Sequence, residues 1–378
     1  MSIANLSMDT GLNVKRVARW PSPKQKAICV AIVGPGGVGS TLLEQWQHIQ
    51  PQLMMRSSAR LDLRALCNSS RMLLAAKPID VAEWQQALAQ SNSEPNLGDL
   101  NLFLRHQEGP VVVIDVSASE SVSKQHEHWL RCGFTVLTAN KYAAASASHL
   151  YAALRHAEAM GGGRYLCETT VGAGLPLIGL ISDLVRTGDE VLKIEGILSG
   201  TLSHLLARLE VGEAFADVLR DLHSSGFTEP DPRNDLSGLD VARKLVILGR
   251  TANFKVDLDA VRLTNFVALE KHATESVSEF LLNCAQHNKI TADEVSVARR
   301  RNSVLRYVAT IERGGRAIVA PTILTNDHPM ARLPAGDNLV RITTKRYQSS
   351  PLVIQGPGAG REVTAAGLLA DLIRCASR

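Results

Sequence analysis

The stretch A-I-C-V-A-I-V-G-P-G-G-V-G, Ala27 to Gly39, predicts how the chain folds. Seven apolar residues in succession indicate a strand that is buried on both faces, and a glycine turn follows at once. The turn has the pattern G-x-G-x-x-G and leads into apolar residues at helical spacing. This order forms a pyrophosphate cradle, because glycines admit backbone close to the phosphates and a helix N-terminus favours negative charge. The predicted cofactor residues of this turn are Gly34, Gly36, Gly37, Val38 and Gly39.

The second predicted strand, L-D-L-R-A-L-C, ends at Cys67, where enzymes that prefer NAD carry an acidic residue for the ribose. This chain has Asn68, two serines and Arg71 there instead. Arg71 either meets the 2′-phosphate of NADP or lies in a solvated loop, and the sequence leaves both readings open. We predict Asn68 and Arg71 as cofactor contacts, with NADP as the cofactor and NAD as the alternative.

Two later strands place polar side chains at the sheet edge where ligands of open α/β sheets bind. The strand V-V-V-I-D-V-S leads to Ser117, which we predict to contact the cofactor, and to Asp115 just before it. The strand F-T-V-L-T-A-N-K ends at Lys141, which is expected beside the cofactor. His126 and His128 are two positions apart on a predicted helix and face different sides, so a shared metal is not expected.

A carboxylate-rich loop, T-E-P-D-P-R-N-D-L-S-G-L-D, precedes a predicted helix in the middle of the chain. Asp235 or Ser237 is the predicted cap of this helix, which should run to about Arg250. Asp240 and Lys244 lie four residues apart and therefore share one face of it.

The neighbours of Asp240 and Lys244 on that face are apolar, whereas Arg243 and Arg250 fall on the predicted solvent side. An acid and a lysine within an apolar face form either a structural ion pair or a working site. The acidic loop before them favours a site that binds an ammonium group and moves a proton.

Composition excludes several classes of function. The chain has 378 residues, 45% of them hydrophobic, which suits two domains with substantial cores. The net charge of +4 is spread out and aromatic residues make up only 4%, so a nucleic-acid partner is not expected. No apolar run approaches the roughly 20 residues needed to span a bilayer. The six scattered cysteines indicate free thiols, and we expect a cytoplasmic protein without a membrane partner.

Six motifs together resemble the homoserine dehydrogenase family, above all the dehydrogenase half of bifunctional aspartokinase–homoserine dehydrogenases. They occur in the family's order between about residues 27 and 375. The motifs are G-P-G-G-V-G, T-A-N-K at Thr138 to Lys141, E-T-T-V-G-A-G-L-P at Glu168 to Pro176, G-I-L-S-G-T at Gly196 to Thr201, T-E-P-D-P-R-N-D-L-S-G-L-D-V-A-R-K at Thr228 to Lys244, and G-P-G-A-G-R-E-V-T-A-A-G near the C-terminus. The block at Thr228 is the most specific of the six.

The resemblance implies NAD(P)-dependent interconversion of L-aspartate 4-semialdehyde and L-homoserine, in the pathway to threonine, methionine and isoleucine. It implies that Glu229 and Asp235 bind the substrate amino group. Lys244 and Asp240 match the family's catalytic pair, and Lys141 matches a second active-site lysine that also contacts substrate.

The same resemblance implies a monovalent cation site, usually for sodium, and further partners. Backbone carbonyls would form this site, at Glu168, Val171, Ala173 and Leu175. The final glycine turn, with Gly360, matches the family's segment that returns to the cofactor. We also expect a homodimer and an aspartokinase partner that is either fused or lost.

The predicted fold class is α/β. It consists of a doubly wound parallel sheet of the Rossmann type and an α+β catalytic and dimerisation domain with a mixed sheet. The predicted segments are a tail or linker at 1–25, a dinucleotide-binding domain at 26–160, the catalytic and dimerisation domain at 161–340, and a segment at 341–378 that returns to the nucleotide domain.

Two departures from the family and two alternative functions remain. Asn234 stands where relatives usually have Asp, and Ser117 replaces a usual threonine but keeps the hydroxyl. The alternatives are a catalytically silent NADP-binding module that regulates a kinase, and another amino-acid dehydrogenase. The silent module predicts damage to the catalytic set, which is intact here, and the other dehydrogenases would lack the block at Thr228.

Overall fold

A computed structural model describes residues 26–56 and 59–376 of the chain. The predicted tail or linker at residues 1–25 lies outside the described residues. Within the described ranges, the strands form two six-stranded sheets, each with helices packed against it.

The first sheet carries the glycine turn. Its strand order is β3-β2-β1-β4-β5-β6, and all neighbours are parallel except the antiparallel pair β2 and β3. Its strands are β1 (Lys26–Val33), β2 (Ala59–Cys67), β3 (Met72–Leu74), β4 (Val111–Asp115), β5 (Thr135–Thr138) and β6 (Tyr165–Leu166). The order reverses at β1, so the crevice between the ends of β1 and β4 is where a ligand of such a sheet binds. The predicted Rossmann-type sheet is confirmed, with β3 as an added antiparallel edge.

Six helices lie between the strands of this sheet along the chain. They are α1 (Gly37–Arg56), α2 (Trp84–Gln90), α3 (Leu97–Arg105), α4 (Glu120–Ser123), α5 (His126–Arg131) and α6 (Ser148–Gly161). Helix α1 begins inside the glycine turn, as its apolar spacing predicted. Trp46 of α1 is buried against the sheet together with Leu42 and Leu43.

The second sheet is mixed, as predicted. Its order is β12-β11-β7-β9-β10-β8, with antiparallel neighbours except β8 and β10, which are parallel. Its strands are β7 (Val191–Ile197), β8 (Arg262–Leu263), β9 (Ser303–Glu312), β10 (Ala317–Thr325), β11 (Asp337–Thr344) and β12 (Leu352–Pro357). The hairpin between β9 and β10 turns at Gly314 and Gly315, whose φ angles of +102° and +88° suit glycine.

Eight further helices complete the described chain, and α8, α11 and α13 pack against β9. These helices are α7 (Ile178–Arg186), α8 (Gly200–Glu210), α9 (Phe215–Ser224), α10 (Arg233–Leu236), α11 (Leu239–Thr251), α12 (Val277–Asn283), α13 (Asn288–Arg300) and α14 (Arg361–Ala376). Short 3-10 turns lie at Glu168–Thr170, Leu258–Ala260, Glu270–His272, Cys284–His287 and Pro329–Arg332.

The last helix returns to the first domain. Leu368 and Leu372 of α14 are fully buried in the core that also holds Trp46 of α1. Two predicted boundaries are displaced, because β6 follows residue 160 and β11 spans residue 340. The chain leaves the second sheet only after Pro357. An apolar run in a sequence does not say which sheet it pairs with, and this is why the boundaries shift.

The six cysteines are free thiols, of which Cys29, Cys67 and Cys284 are buried and the others half-buried. In the described part of the chain, no helix is long and apolar enough to cross a membrane.

Candidate active site

The backbone packs so closely around the glycine turn that Gly34 and Gly39 leave no room for a side chain. Gly34 has φ +87°, and a Cβ built there would lie 2.7 Å from the backbone nitrogen of Ser117. A Cβ on Gly39 would lie 3.0 Å from the carbonyl oxygen of Gly34. Gly36 and Gly37 are exposed, and the first N–H groups of α1 have no acceptor within the helix. The turn therefore fits the pyrophosphate of a dinucleotide.

The end of β4 is organised around Asp115, which is fully buried. Its carboxylate accepts hydrogen bonds from the Ser117 hydroxyl (2.6 Å), the Asn140 amide (3.0 Å) and Nε2 of His126 (2.8 Å). Asp115 was expected at the ligand edge, and it instead serves as an internal acceptor that fixes Ser117 beside Gly34. His128 has a different partner, with its Nε2 3.7 Å from the Cys132 sulfur.

The end of β2 places the two predicted cofactor contacts in a tight turn. The Asn68 carbonyl oxygen Oδ1 accepts from the backbone N–H groups of Ser70 (2.8 Å) and Arg71 (2.7 Å). The exposed Arg71 guanidinium donates to the backbone carbonyls of Ala89 and Ser91 at the end of α2. A contact with a 2′-phosphate, still a prediction, would require Arg71 to leave these carbonyls.

Two lysines from different domains converge on one carboxylate. Asp240, in the first turn of α11, lies 2.8 Å from Nζ of Lys244 and 3.3 Å from Nζ of Lys141. Lys244 comes from the same helix, whereas Lys141 comes from the loop after β5 in the first sheet. The predicted catalytic residues are therefore brought together at the junction of the two domains.

Asp240 remains ionised in this arrangement. Desolvation in the cleft acts to raise the pKa of Asp240, but the charges of Lys244 and Lys141 outweigh it and hold the pKa well below its usual range. About half of the Asp240 side chain is still accessible to solvent. The carboxylate is thus a permanent negative charge that orients both ammonium groups.

The two lysines differ in how many hydrogens remain for a substrate. Lys244 is largely buried and also donates to the backbone carbonyl of Leu198 at 2.8 Å. An ammonium group has three hydrogens, so Lys244 keeps one and Lys141 keeps two. Lys141 is the more exposed of the two, with 29% of its side chain accessible against 12% for Lys244.

The predicted substrate acids lie on the loop before α11. Asp235 accepts a hydrogen bond from the backbone N–H of Glu229 (2.9 Å), and its other oxygen lies 2.9 Å from the Thr201 hydroxyl. The Glu229 side chain is exposed. Burial raises the pKa of Asp235, with bonds from Glu229 and Thr201 acting in the opposite direction. A cationic group placed here would relieve that cost of burial.

Thr201 is a site residue that the sequence reasoning missed. In the sequence it stands out only as the last residue of the motif G-I-L-S-G-T, within which the Ser199 hydroxyl caps α8. Leu198, three residues earlier, accepts the bond from Lys244. The junction of β7 and α8 therefore positions Lys244 through the carbonyl of Leu198, and Asp235 through the hydroxyl of Thr201. The clue in the sequence is a hydroxyl residue shortly after a predicted strand, four positions beyond the last residue of β7.

Two predictions about α11 were wrong. The N-cap position of α11 is held by Gly238, with φ +69°, and not by Asp235 or Ser237. The Ser237 hydroxyl nevertheless accepts a hydrogen bond from the backbone N–H of Leu239, the first residue of the helix, at 3.2 Å. Asp235 is occupied by Thr201 and Glu229 instead. Arg250, expected on the solvent side, is buried and donates to the carbonyls of Ala144 (2.9 Å) and Val256 (3.1 Å) and to Asp257. Since Ala144 closely follows Lys141, Arg250 ties the Lys141 loop to α11.

The predicted cation turn is tightly packed. The Glu168 carboxylate accepts bonds from the first N–H groups of α7, at Leu177, Ile178 and Gly179, which are 2.7–2.8 Å away. Burial raises the pKa of Glu168, and these three bonds act to lower it.

Four backbone carbonyls make up the predicted cation ligands. The carbonyl oxygen of Leu175 accepts a hydrogen bond from the backbone N–H of Leu177 (2.9 Å), and the carbonyl oxygen of Glu168 lies 3.5 Å from the backbone nitrogen of Val171. Within the residues that the structure describes, the carbonyls of Val171 and Ala173 accept no hydrogen bond. Ala173 has a φ of +54°, a left-handed conformation that is uncommon for alanine.

Gly360 closes the final glycine turn with φ +128° and accepts two bonds from Thr364, through its backbone (3.1 Å) and its hydroxyl (2.7 Å). A Cβ on Gly174 of the cation turn would lie 2.5 Å from the carbonyl oxygen of Val363. The final turn and the cation turn therefore pack against each other.

Family models match almost the whole described chain. The model for homoserine dehydrogenase matches residues 176–373, and the model for its NAD-binding domain matches residues 34–168. The chain belongs to the homoserine dehydrogenase family. The family resemblance and the fold predicted from the sequence are thereby confirmed.

Curated relatives are longer than this chain. It is 38% identical to bifunctional aspartokinase/homoserine dehydrogenase 2 of Zea mays over 358 residues, which is 93% of this chain and 38% of that protein. It is also 38% identical to bifunctional aspartokinase/homoserine dehydrogenase 2 of Escherichia coli over 356 residues, 93% of this chain and 44% of that protein. The chain thus spans about two fifths of the length of these relatives.

Solved structures share the fold of this chain. A protein of unknown function from Candida auris superposes with a TM-score of 0.87 at 33% identity, over 94% of this chain and 99% of that one. A hyperthermophilic archaeal homoserine dehydrogenase in complex with NADPH gives a TM-score of 0.70 at 20% identity, over 92% of this chain and 97% of that one.

Proposed function

We propose that this chain catalyses the NAD(P)-dependent interconversion of L-aspartate 4-semialdehyde and L-homoserine. The observation that carries the proposal is the meeting of Lys244 and Lys141 on Asp240, between the nucleotide-binding sheet and the second domain. Membership of the homoserine dehydrogenase family supports it, as do relatives whose names include this activity.

The residues take complementary roles in this reaction. A bound nicotinamide would supply or accept the hydride at the substrate carbon that carries the reacting oxygen. Lys244 gives a proton to the oxygen as the aldehyde is reduced, and takes it back when the alcohol is oxidised. Asp240 holds Lys244 in place, and Lys141 stabilises the negative charge that develops on the oxygen.

The acidic loop selects the substrate. Glu229 and Asp235 bind the substrate ammonium group, which offsets the unfavourable burial of the Asp235 carboxylate. The intact set of lysines and acids argues against a catalytically silent module, because such a module has no need to keep Lys244 paired and largely buried.

The cofactor residues are the glycine turn from Gly34 to Gly39, Ser117, Asn68 and Gly360, with Arg71 as the contact for a 2′-phosphate. An NADPH complex of an archaeal family member with the same fold supports NADP. We further propose a sodium ion or another monovalent cation at the backbone carbonyls of Glu168, Val171, Ala173 and Leu175. The unbonded carbonyls of Val171 and Ala173 support this cation. Thermal unfolding in sodium chloride should occur at a higher temperature than in tetramethylammonium chloride of equal concentration; equal midpoints would exclude the cation.

Two protein partners belong to the proposal. The helices cover one face of the second sheet, and its other face carries the half-exposed Val353 and the ion pairs of Glu195 with Lys193 and Arg341, which suits a homodimer. Relatives fused to aspartokinase support a kinase partner for this chain, fused or separate. Light scattering of the purified chain measures its oligomeric state, and a monomer at micromolar concentration would reject the homodimer.

The deciding experiment compares homoserine-dependent reduction of NADP and NAD by the purified chain. Turnover with either establishes the reaction, and a preference for NADP that Arg71→Ala abolishes supports the role of Arg71. A folded chain that binds cofactor but turns over neither would reject the proposed activity and favour the silent module.

A further inference from the structure

Arg361 is a positive charge that the proposed mechanism does not use. It is the first residue of α14, exposed, and within the described ranges it has no ion pair or side-chain hydrogen bond. Its neighbour Glu362 directs its carboxylate to the amide of Gln45 at 3.0 Å. The charge of Arg361 is therefore not neutralised by the residues around it.

The Arg361 side chain lies directly against the glycine turn. A Cβ built on Gly37 would be 2.7 Å from Nε of Arg361 and 3.0 Å from its Cζ. Gly37 is the first residue of α1, where the N–H groups have no acceptor within the helix. Thus the guanidinium, a donor group suited to phosphate geometry, lies beside the N–H groups that face a dinucleotide's phosphates.

The position distinguishes the pyrophosphate from the 2′-phosphate. The 2′-phosphate of a dinucleotide belongs at the end of β2, where Asn68 and Arg71 lie. The glycine turn between β1 and α1 instead faces the pyrophosphate. Arg361 contacts the turn, and among the described residues no hydrogen bond or ion pair joins it to Asn68 or Arg71 at the end of β2.

We propose that Arg361 binds the cofactor pyrophosphate and closes the glycine turn from the side of the second domain. The residue reaches the turn because the chain passes from β12 through Gly360 directly into α14. A group on the segment that leaves the substrate domain then holds the cofactor on the nucleotide domain. This inference rests on the nicotinamide cofactor of the proposed function, and not on the identity of the substrate.

Isothermal titration calorimetry of the full chain with NAD, NADP and ADP tests the proposal. All three carry the pyrophosphate, only NADP carries the 2′-phosphate, and ADP lacks the nicotinamide. Arg361→Ala should weaken all three by a similar factor of about 10 to 100, the range for a charged bond to phosphate. Arg361→Lys should be intermediate, because it keeps the charge and loses the planar pair of donors.

The matched control is Arg105→Ala, which removes an exposed positive charge from the last turn of α3 in the same domain. It should leave all three affinities unchanged. A loss confined to NADP would assign Arg361 to the 2′-phosphate and overturn the proposal, as would unchanged affinities or a chain that binds no ADP. Failure of the proposed reaction looks different, because normal ADP binding would then accompany absence of turnover with homoserine.

Discussion

Asp240 sets what each of the two lysines can do. Its ionised carboxylate lies 2.8 Å from Nζ of Lys244 and 3.3 Å from Nζ of Lys141, so both ammonium groups are held in place. Lys244 has a second anchor on the Leu198 carbonyl, and it is the more precisely placed of the pair. A proton donor needs this fixed position more than it needs exposure.

We expect Lys244→Ala to lower kcat for homoserine oxidation by about 100-fold or more, the scale of general acid–base catalysis. Calorimetry with NADP should show an unchanged affinity, because Lys244 does not touch the glycine turn. Lys141→Ala, measured beside it, should retain more activity. If Lys244→Ala keeps a near-normal kcat, the proton transfer belongs to Lys141.

Thr201 is expected to position Asp235, one of the two predicted substrate acids. Thr201→Val keeps the shape of the side chain but removes the hydroxyl 2.9 Å from Asp235. We expect KM for homoserine to rise about 10-fold, the value of a hydrogen bond to a charged group, while kcat changes by less than about 3-fold. Thr201→Ser should restore KM. Steady-state kinetics with an unchanged KM in the valine variant would contradict the assignment.

Among the elements, strands and glycine turns could be predicted from the sequence, because local patterns determine them. The run before Gly34 and the turn at Gly314 are examples. The cap of α11 could not be predicted in this way, because the Asp235 side chain forms a hydrogen bond with Thr201, which lies 34 positions earlier in the chain. The burial of Arg250 could not be predicted either, because a helical wheel does not show the distant carbonyl of Ala144 to which its guanidinium donates a hydrogen bond.

A buried histidine pair supports the elements behind the acidic loop. Nε2 of His272 lies 2.9 Å from Nε2 of His287, and Nδ1 of His272 lies 2.7 Å from Glu275. Arg233, just before Asp235, donates to the backbone carbonyls of His272 and Glu275. The histidines therefore hold the segment on which the loop carrying Asp235 is anchored.

Burial, together with the charges of His272 and Lys271, lowers the pKa of His287 below its ordinary value of 6.5. The unfolded chain then takes up its proton first as the pH falls. The stability is fully present above about pH 6.5 and declines as the pH drops towards the folded pKa. Urea unfolding between pH 7.5 and 5 should show this decline, and His287→Asn should reduce it. An identical decline in the variant would rule out His287 as its source.

For the whole molecule, α14 packs in the same core as α1, although most of the described chain lies between the two helices. Leu368→Ala should lower the free energy of unfolding by about 2 to 5 kcal/mol, because its side chain is fully buried against α1 and the first sheet. Leu102→Ala, at a position 60% exposed on α3, is the matched control and should change it by less than about 0.5 kcal/mol. Equal effects in urea denaturation would mean that α14 contributes little.

The return of α14 also has a consequence for synthesis on the ribosome. All six strands of the first sheet have been made by Leu166, yet α14, the helix that covers part of its core, begins only at Arg361. Until then the apolar face of α1 has no partner from α14. Completion of the cofactor domain therefore waits until the whole second sheet has been translated, and a nascent chain that has not yet reached α14 lacks both Arg361 and the apolar face that packs on α1.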